Sequence, residues 1–173
     1  SLYVVGTSTG TTTIQNQGSG TYGITIGTGA TTEWNRARIR DINANGVVFG
    51  GTPTVNNFSN TDHLVEINSG TAVTVGGTVI NANEAKSFTG NIFNDDIAVT
   101  GAINVTATGT SVSSWRFTNQ NGDIAGEPFD NDPEGDPGYI TWDDSASLIT
   151  VSGTVYQSDG TTLSSICDGV TNN

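Results

Sequence analysis

Short apolar runs, each closed by Asn, Asp or Gly, recur along the whole of this 173-residue chain. The runs are three to six residues long and rich in Val, Ile and Thr, which is the pattern of β-strands bounded by turns. No segment places apolar residues three and four positions apart over a dozen residues, so the sequence predicts almost no helix.

Two markers repeat in phase along these runs. Asn or Asp closes one set at spacings of 27, 25, 26, 25 and 25 residues, and Gly closes a second set at Gly6, Gly27, Gly50, Gly76, Gly101, Gly126 and Gly153. Such a period is typical of a solenoid, in which each turn buries its apolar face against the turns above and below. The sequence therefore predicts an all-β, single-domain parallel β-solenoid over residues 1–173, with about six to seven turns. The alternative is a two-sheet β-sandwich with antiparallel pairing, in which the repeat is only apparent.

The residues of the first set are candidates for a stacked column. Asn tolerates the left-handed backbone of a tight bend, and stacked Asn side chains can hydrogen-bond along a coil axis. The alternative is that these residues are ordinary turn formers. We expect a column made of Asn16, Asn43, Asn68, Asn94, Asn119 and Asp144.

This pattern of strands and closing residues resembles the right-handed parallel β-helix of pectate-lyase-like enzymes and of bacterial surface and adhesin-like proteins. The resemblance covers most of the chain and concerns its architecture. It implies a right-handed coil with one of two roles, because the family includes both polysaccharide-cleaving enzymes and inert stalks or adhesins.

The composition limits the classes of partner. Five Lys and Arg residues stand against seventeen Asp and Glu residues, and the formal net charge of -12 argues against nucleic acid or anionic lipid as partner. No apolar run approaches the length that spans a bilayer, so we expect no membrane insertion. The one cysteine, Cys167, excludes an internal disulfide and is expected to be a small buried side chain. Low Cys and Lys with abundant Thr, Gly, Asn and Ser favour an extracellular or cell-surface location.

An acidic, Pro-rich loop at 127–138 is the strongest candidate for a metal site. Asp130, Asp132 and Glu134 alternate and Gly135 follows in the sixth position, as in the opening half of a calcium loop. The twelfth position is Thr141 instead of the usual Glu, so an acid of the next strand, Asp143 or Asp144, has to complete the shell. The alternative is a solvated loop without metal. The predicted Ca²⁺ ligands are Asp130, Asp132, Glu134, Asp136 and Asp143.

A row of arginines is the candidate site for an anionic partner. Strand alternation places Trp34, Arg36, Arg38 and Arg40 on one side and Ala37 and Ile39 on the other. This row contains three of the five basic residues, so an acidic glycan or the acidic loop of another copy is a suitable ligand. Together with Asp41, Asp62 and Glu66 the row would line a groove on neighbouring turns. The alternative is that the arginines pair with carboxylates of adjacent turns.

The sole histidine, His63, lies beside Asp62 and near Glu66 in the sequence. No nucleophile and no metal-ligand spacing accompanies it, so we expect a solvated surface residue. The chain also contains no Gly-rich phosphate loop, Ser elbow or paired-cysteine metal motif. The sequence therefore favours a protein that is not an enzyme.

The sequence shows no recognisable polar cap at either end, which predicts unpaired backbone edges on the terminal turns. Our leading hypothesis is an extracellular structural protein, a β-solenoid subunit or stalk segment that stacks head to tail into a surface fibre. The competing hypothesis is a glycan-binding or polysaccharide-cleaving β-helix that uses the arginine row and calcium.

Overall fold

The computed structural model describes residues 1–133 and 138–143. It shows an all-β chain whose parallel strands stack into a β-solenoid, which confirms the predicted fold class. Over these residues the solenoid has about five turns, where the markers predicted six to seven over residues 1–173. Every pairing between the strands described is parallel, so the antiparallel sandwich is excluded.

Each complete turn contributes one strand to each of three faces. The first turn contains β1 (Leu2–Val5), β2 (Thr12–Ile14) and β3 (Tyr22–Ile26), and the second contains β4 (Thr31–Asn35), β5 (Ala37–Ile39) and β6 (Ile42–Phe49). The third contains β7 (Thr54–Ser59), β8 (Asp62–Val65) and β9 (Thr71–Gly76), followed by the helix α1 (Gly77–Ala82). The fourth contains β10 (Ser87–Thr89), β11 (Ile92–Asp95) and β12 (Ile103–Thr108). Beyond it lie β13 (Trp115–Thr118), a 3₁₀ turn (Glu127–Phe129) and β14 (Ile140–Asp143).

The strands stack face by face. Face 1 contains β1, β4 and β7 and then β10, β13 and β14, and the Asn60 N–H joins its two parts by donating to the Thr89 carbonyl at 2.8 Å. Face 2 contains β2, β5, β8 and β11, and face 3 contains β3, β6, β9 and β12. In the part of the chain that the structure describes, no helix has the length and apolar character that crossing a membrane requires.

One apolar side chain per turn, aromatic from the second turn onward, fills the core behind face 1. Strand register and ring contacts place these residues one above another, with ring centroids of neighbours between 4.8 and 6.0 Å apart. Such edge and offset contacts each stabilise by about 0.5–1.5 kcal/mol beyond the area that they bury. The column therefore ties each turn to its neighbours, and its members are Val4, Trp34, Phe58, Phe88, Phe117 and Trp142.

The predicted column of Asn residues is wrong. Asn94 pairs in register with Leu64 and not with Asn68, and Asn119 follows a strand of face 1. The Asn16 N–H donates to Asp41 Oδ2 at 3.1 Å, whereas Asn43 lies within β6. The turns differ in length, because thirty residues separate Val4 from Trp34 and twenty-four separate Trp34 from Phe58. Residues spaced at a constant interval in the sequence therefore fall on different faces of the solenoid. Asp144 lies outside the described residues.

The glycine marker is correct over three turns. Gly27, Gly50 and Gly76 follow Ile26, Phe49 and Val75, which are register partners on face 3. Gly101 lies in the loop before β12, and Gly126 precedes the 3₁₀ turn, so neither continues this row.

Candidate ligand groove at the arginine corner

A left-handed bend joins face 1 to face 2 in four successive turns. The bend residues directly follow the face 1 strands, and their φ angles are 55° at Arg36, 52° at Asn60, 69° at Gly90 and 50° at Asn119. Gly and Asn adopt this conformation readily, whereas it costs most other residues roughly 1–2 kcal/mol. Arg36 is therefore the unusual member of this corner.

The bend at Arg36 also changes which side chains near the arginines face the core and which face solvent. Trp34 is 0% exposed in the core, and Ala37 on the other side of the bend is 0% exposed as well. The left-handed residue separates β4 from β5, so strand alternation starts again after it. The prediction that Trp34 shares a surface with the arginines is wrong. The arginines themselves lie at the surface, because Arg36 and Arg38 are exposed and Arg40 is partly exposed.

Two of the three arginines are held by one carboxylate of the next turn. Asp62 Oδ2 accepts from Arg38 Nε at 2.8 Å and from an Arg40 terminal nitrogen at 3.0 Å. This confirms the alternative that arginines of the row pair with acids on an adjacent turn. Among the described residues, the guanidinium of Arg36 has no ion pair and no hydrogen bond. Arg36 is thus the cation of this corner that is available to a ligand.

An open groove of about 370 Å³ runs beside this corner. Loop 7–11 of the first turn closes one end, and its side chains Thr7, Ser8, Thr9 and Thr11 supply hydroxyl groups. The rest of the lining comes from the next three turns, so the groove runs along the solenoid axis. Its volume lies in the usual range of small-molecule sites. The lining side chains from those three turns include Arg36, Arg38, Asn60, Asp62 and Ile92.

Two acids expected in the groove lie at the corner between faces 2 and 3. Glu66 accepts from the Asp41 N–H, and Asp41 in turn accepts from the Asn16 N–H at 3.1 Å. Tyr22 lies close by and donates its hydroxyl to the Ile14 carbonyl at 3.0 Å. Burial, followed by the charges of Asp41 and Glu66, raises the pKa of Tyr22 to about 12. Asp41 and Glu66 therefore bond to turns of the coil instead of lining the groove.

The expectation that His63 is a surface residue is wrong. It is 1% exposed and pairs in register with Ile39 on one side and Phe93 on the other. Its ring stacks on Phe93 with centroids 5.2 Å apart, and neither ring nitrogen has a hydrogen-bond partner in the described part of the chain. Burial lowers the pKa of His63 to about 3, with Asp62 opposing and Arg40 adding to the shift. His63 is a neutral core residue and faces away from the groove.

The predicted calcium ligands are only partly described. Asp130 Oδ2 accepts from the Trp142 ring nitrogen at 2.7 Å, and Asp132 Oδ2 accepts from the Ile140 N–H at 3.1 Å. Asp143 Oδ2 lies 3.0 Å from an Arg116 nitrogen. Among residues 1–133 and 138–143, no three His, Cys, Asp or Glu side chains form a group that could hold a metal ion. Glu134, Asp136 and Cys167 lie outside these ranges, and calcium binding stays a prediction.

Sequence reasoning missed the contribution of loop 7–11 and of Asn60 to the groove. A signal for the loop was present, because residues 7–13 contain five threonines and one serine. The place of Asn60 depends on the exact turn length, which the markers did not give. No family model matches the chain, and neither the curated proteins nor the solved structures contain a match.

Proposed function

We propose that this chain is an extracellular structural protein, a β-solenoid segment that stacks end to end into a surface filament. The observation that carries the proposal is the open edge of the first turn. β1, β2 and β3 pair with β4, β5 and β6 on one side, and within the described residues none has a partner on its other side. Parallel edges of this kind accept further strands, because their N–H and C=O groups remain unpaired.

The core of the first turn supports the same proposal. Ile14 and Ile24 are partly exposed, whereas their register partners one turn further, Ile39 and Val47, are 1% and 0% exposed. The difference arises because the inner turns are covered on both sides and the first turn on one side. Another coil placed on this end would bury these partly exposed apolar side chains, at about 25 cal/mol per Å².

The charge of the chain favours growth at the ends over growth at the sides. With a formal net charge of -12, the flanks of neighbouring copies repel one another. The open edge of the first turn instead offers hydrogen-bonding groups and apolar side chains. This combination supports a linear filament. The low Cys and Lys content and the resemblance to surface β-helix proteins support its location outside the cell.

A pair of adjacent substitutions tests the proposal. Ile14→Lys places a charge on the apolar end of the coil, whereas Thr13→Lys adds the same charge to an exposed position of the same strand. We expect the wild-type protein and Thr13→Lys to form larger species as concentration rises, in sedimentation velocity and negative-stain images. Ile14→Lys is expected to remain monomeric, because stacking would bury its ammonium group.

Thermal unfolding of both variants is the control for folding. A wild-type protein that remains monomeric at every concentration would refute the proposal. Equal assembly of Ile14→Lys and Thr13→Lys would show that any association does not use the first-turn end.

A further inference from the structure

We propose that the groove at the arginine corner binds an anionic saccharide, with Arg36 as the group that contacts its carboxylate or sulfate. This site lies on the side of the solenoid and not at its end. The inference therefore goes beyond the stacking function and does not depend on it.

Charge pairing in the corner singles out Arg36 as the anion-binding group. Asp62 already accepts bonds from Arg38 and Arg40, so both of those guanidinium groups are held by a carboxylate within the fold. Arg36 is exposed, lines the groove and has no ion pair among the described residues. A guanidinium presents paired N–H donors that fit carboxylates and other oxyanions, which makes a charged ligand group the natural partner.

The backbone at Arg36 determines which substitutions this position tolerates. Its φ of 55° is a strained conformation for an arginine, whereas Gly occupies the equivalent bend two turns further, at Gly90. A Gly or Asn would form the bend at lower cost. The bend therefore does not need the guanidinium, as Ala85 with a φ of 53° also shows, and variants without it are expected to fold.

The shape of the groove favours a saccharide over a peptide. The corner residues Arg36, Asn60 and Gly90 repeat along the axis once per turn, at roughly the 4.7–4.9 Å spacing of paired strands. This spacing is close to the length of one pyranose unit, whereas an extended peptide advances only about 3.3 Å per residue. Hydroxyls of loop 7–11 and the Asn60 amide can bond to sugar hydroxyls, and Ile92, which is 36% exposed, offers an apolar contact.

Titration of the whole chain with defined oligomers tests the inference. The probes are a hyaluronan hexasaccharide for carboxylate, a chondroitin sulfate hexasaccharide for sulfate ester, chitohexaose as neutral sugar and hexaglutamate as acidic peptide. We expect at least one of the two anionic saccharides to bind, and affinity to fall as salt is raised. Arg36→Gln should weaken that binding about tenfold or more, because a charge-assisted bond is lost.

Two further variants separate the groove from general charge effects. Arg116→Gln removes the same charge from face 1 and should leave saccharide binding unchanged. Arg36→Gly removes the guanidinium while suiting the left-handed backbone, so it should fold and still lose binding. The proposal is overturned if neither anionic saccharide binds, if Arg36→Gln and Arg36→Gly bind as the wild type does, or if chitohexaose or hexaglutamate binds as tightly.

Discussion

At the scale of single residues, His63 occupies a core position that apolar side chains hold in neighbouring turns. Ile39 precedes it in the stack and Phe93 follows it, so the imidazole is enclosed on both sides. Both of its nitrogens lack partners among the described residues. Burying a polar group without a hydrogen bond costs about 1–3 kcal/mol, which makes this residue a weak point of the core.

The stability of the protein should therefore depend on pH through His63. The unfolded chain binds a proton near pH 6.5, whereas the folded chain does so only near pH 3, so unfolding takes up a proton between these values. From pH 7.5 to pH 5 we expect the wild type to lose about 2 kcal/mol of unfolding free energy through this group.

Urea unfolding of the wild type and of His63→Leu at both pH values measures this contribution. The variant should be at least as stable as the wild type at pH 7.5 and should lack the additional loss at pH 5. Equal pH dependence of the two proteins would contradict the buried, neutral histidine.

At the scale of elements, buried amides join successive turns in place of the predicted column. Asn91 accepts from the Thr61 N–H at 3.0 Å and donates to the Phe58 carbonyl at 2.9 Å. Asn83 makes the same kind of bridge, accepting from the Val55 N–H at 2.8 Å and donating to a carbonyl of the preceding turn at 2.9 Å. Asn side chains do join turns here, but these are not the residues of the predicted column, and their partners are buried backbone groups instead of other Asn side chains.

Substitution of Asn91 should be far more damaging than substitution of a predicted stacking residue. Asn91→Ala leaves one N–H and one carbonyl buried without partners, which should cost about 2–4 kcal/mol of unfolding free energy. Asn68→Ala removes exposed bonds at Thr100, so water replaces them and the cost should stay below about 1.5 kcal/mol. Chemical denaturation compares the two, and equal losses would contradict the assignment of the bridges.

The strand pattern over β3, β6 and β9 of face 3 could be predicted because these turns are similar in length. Twenty-three residues separate Ile26 from Phe49 and twenty-six separate Phe49 from Val75, so the Gly after each strand is visible in the sequence. On face 2, twenty-four residues separate Ile39 from His63 but thirty separate His63 from Phe93. Because loops of variable length separate these strands, the strand register cannot be predicted from the sequence. For the same reason, the sequence does not reveal that His63 faces the core.

The candidate groove was only partly predictable for a related reason. Arginines are visible in any sequence, and their pairing with Asp62 follows from neighbouring turns. The bend at Arg36 is not visible, because arginine rarely adopts positive φ and nothing nearby signals it. Without that bend, alternation wrongly brings Trp34 to the surface.

At the scale of the whole molecule, the acidic flanks should control the form of the assembly. Each copy carries a formal net charge of -12, so the flanks of neighbouring copies repel one another. The Debye length, over which salt screens this repulsion, is about 8 Å at 0.15 M salt and about 3 Å at 1 M salt. We expect single filaments at low salt and lateral bundles at high salt, with width measured in negative-stain images. Filaments of constant width across this range would contradict the role given to the flank charges.

Cryo-electron microscopy of the wild-type assembly is the sharpest test of end-to-end stacking. We expect filaments in which β1, β2 and β3 of one copy continue the parallel sheets of the next, with strand spacing of about 4.8 Å across the junction. Monomers alone, or filaments whose copies meet side to side with the first-turn edges uncovered, would contradict it.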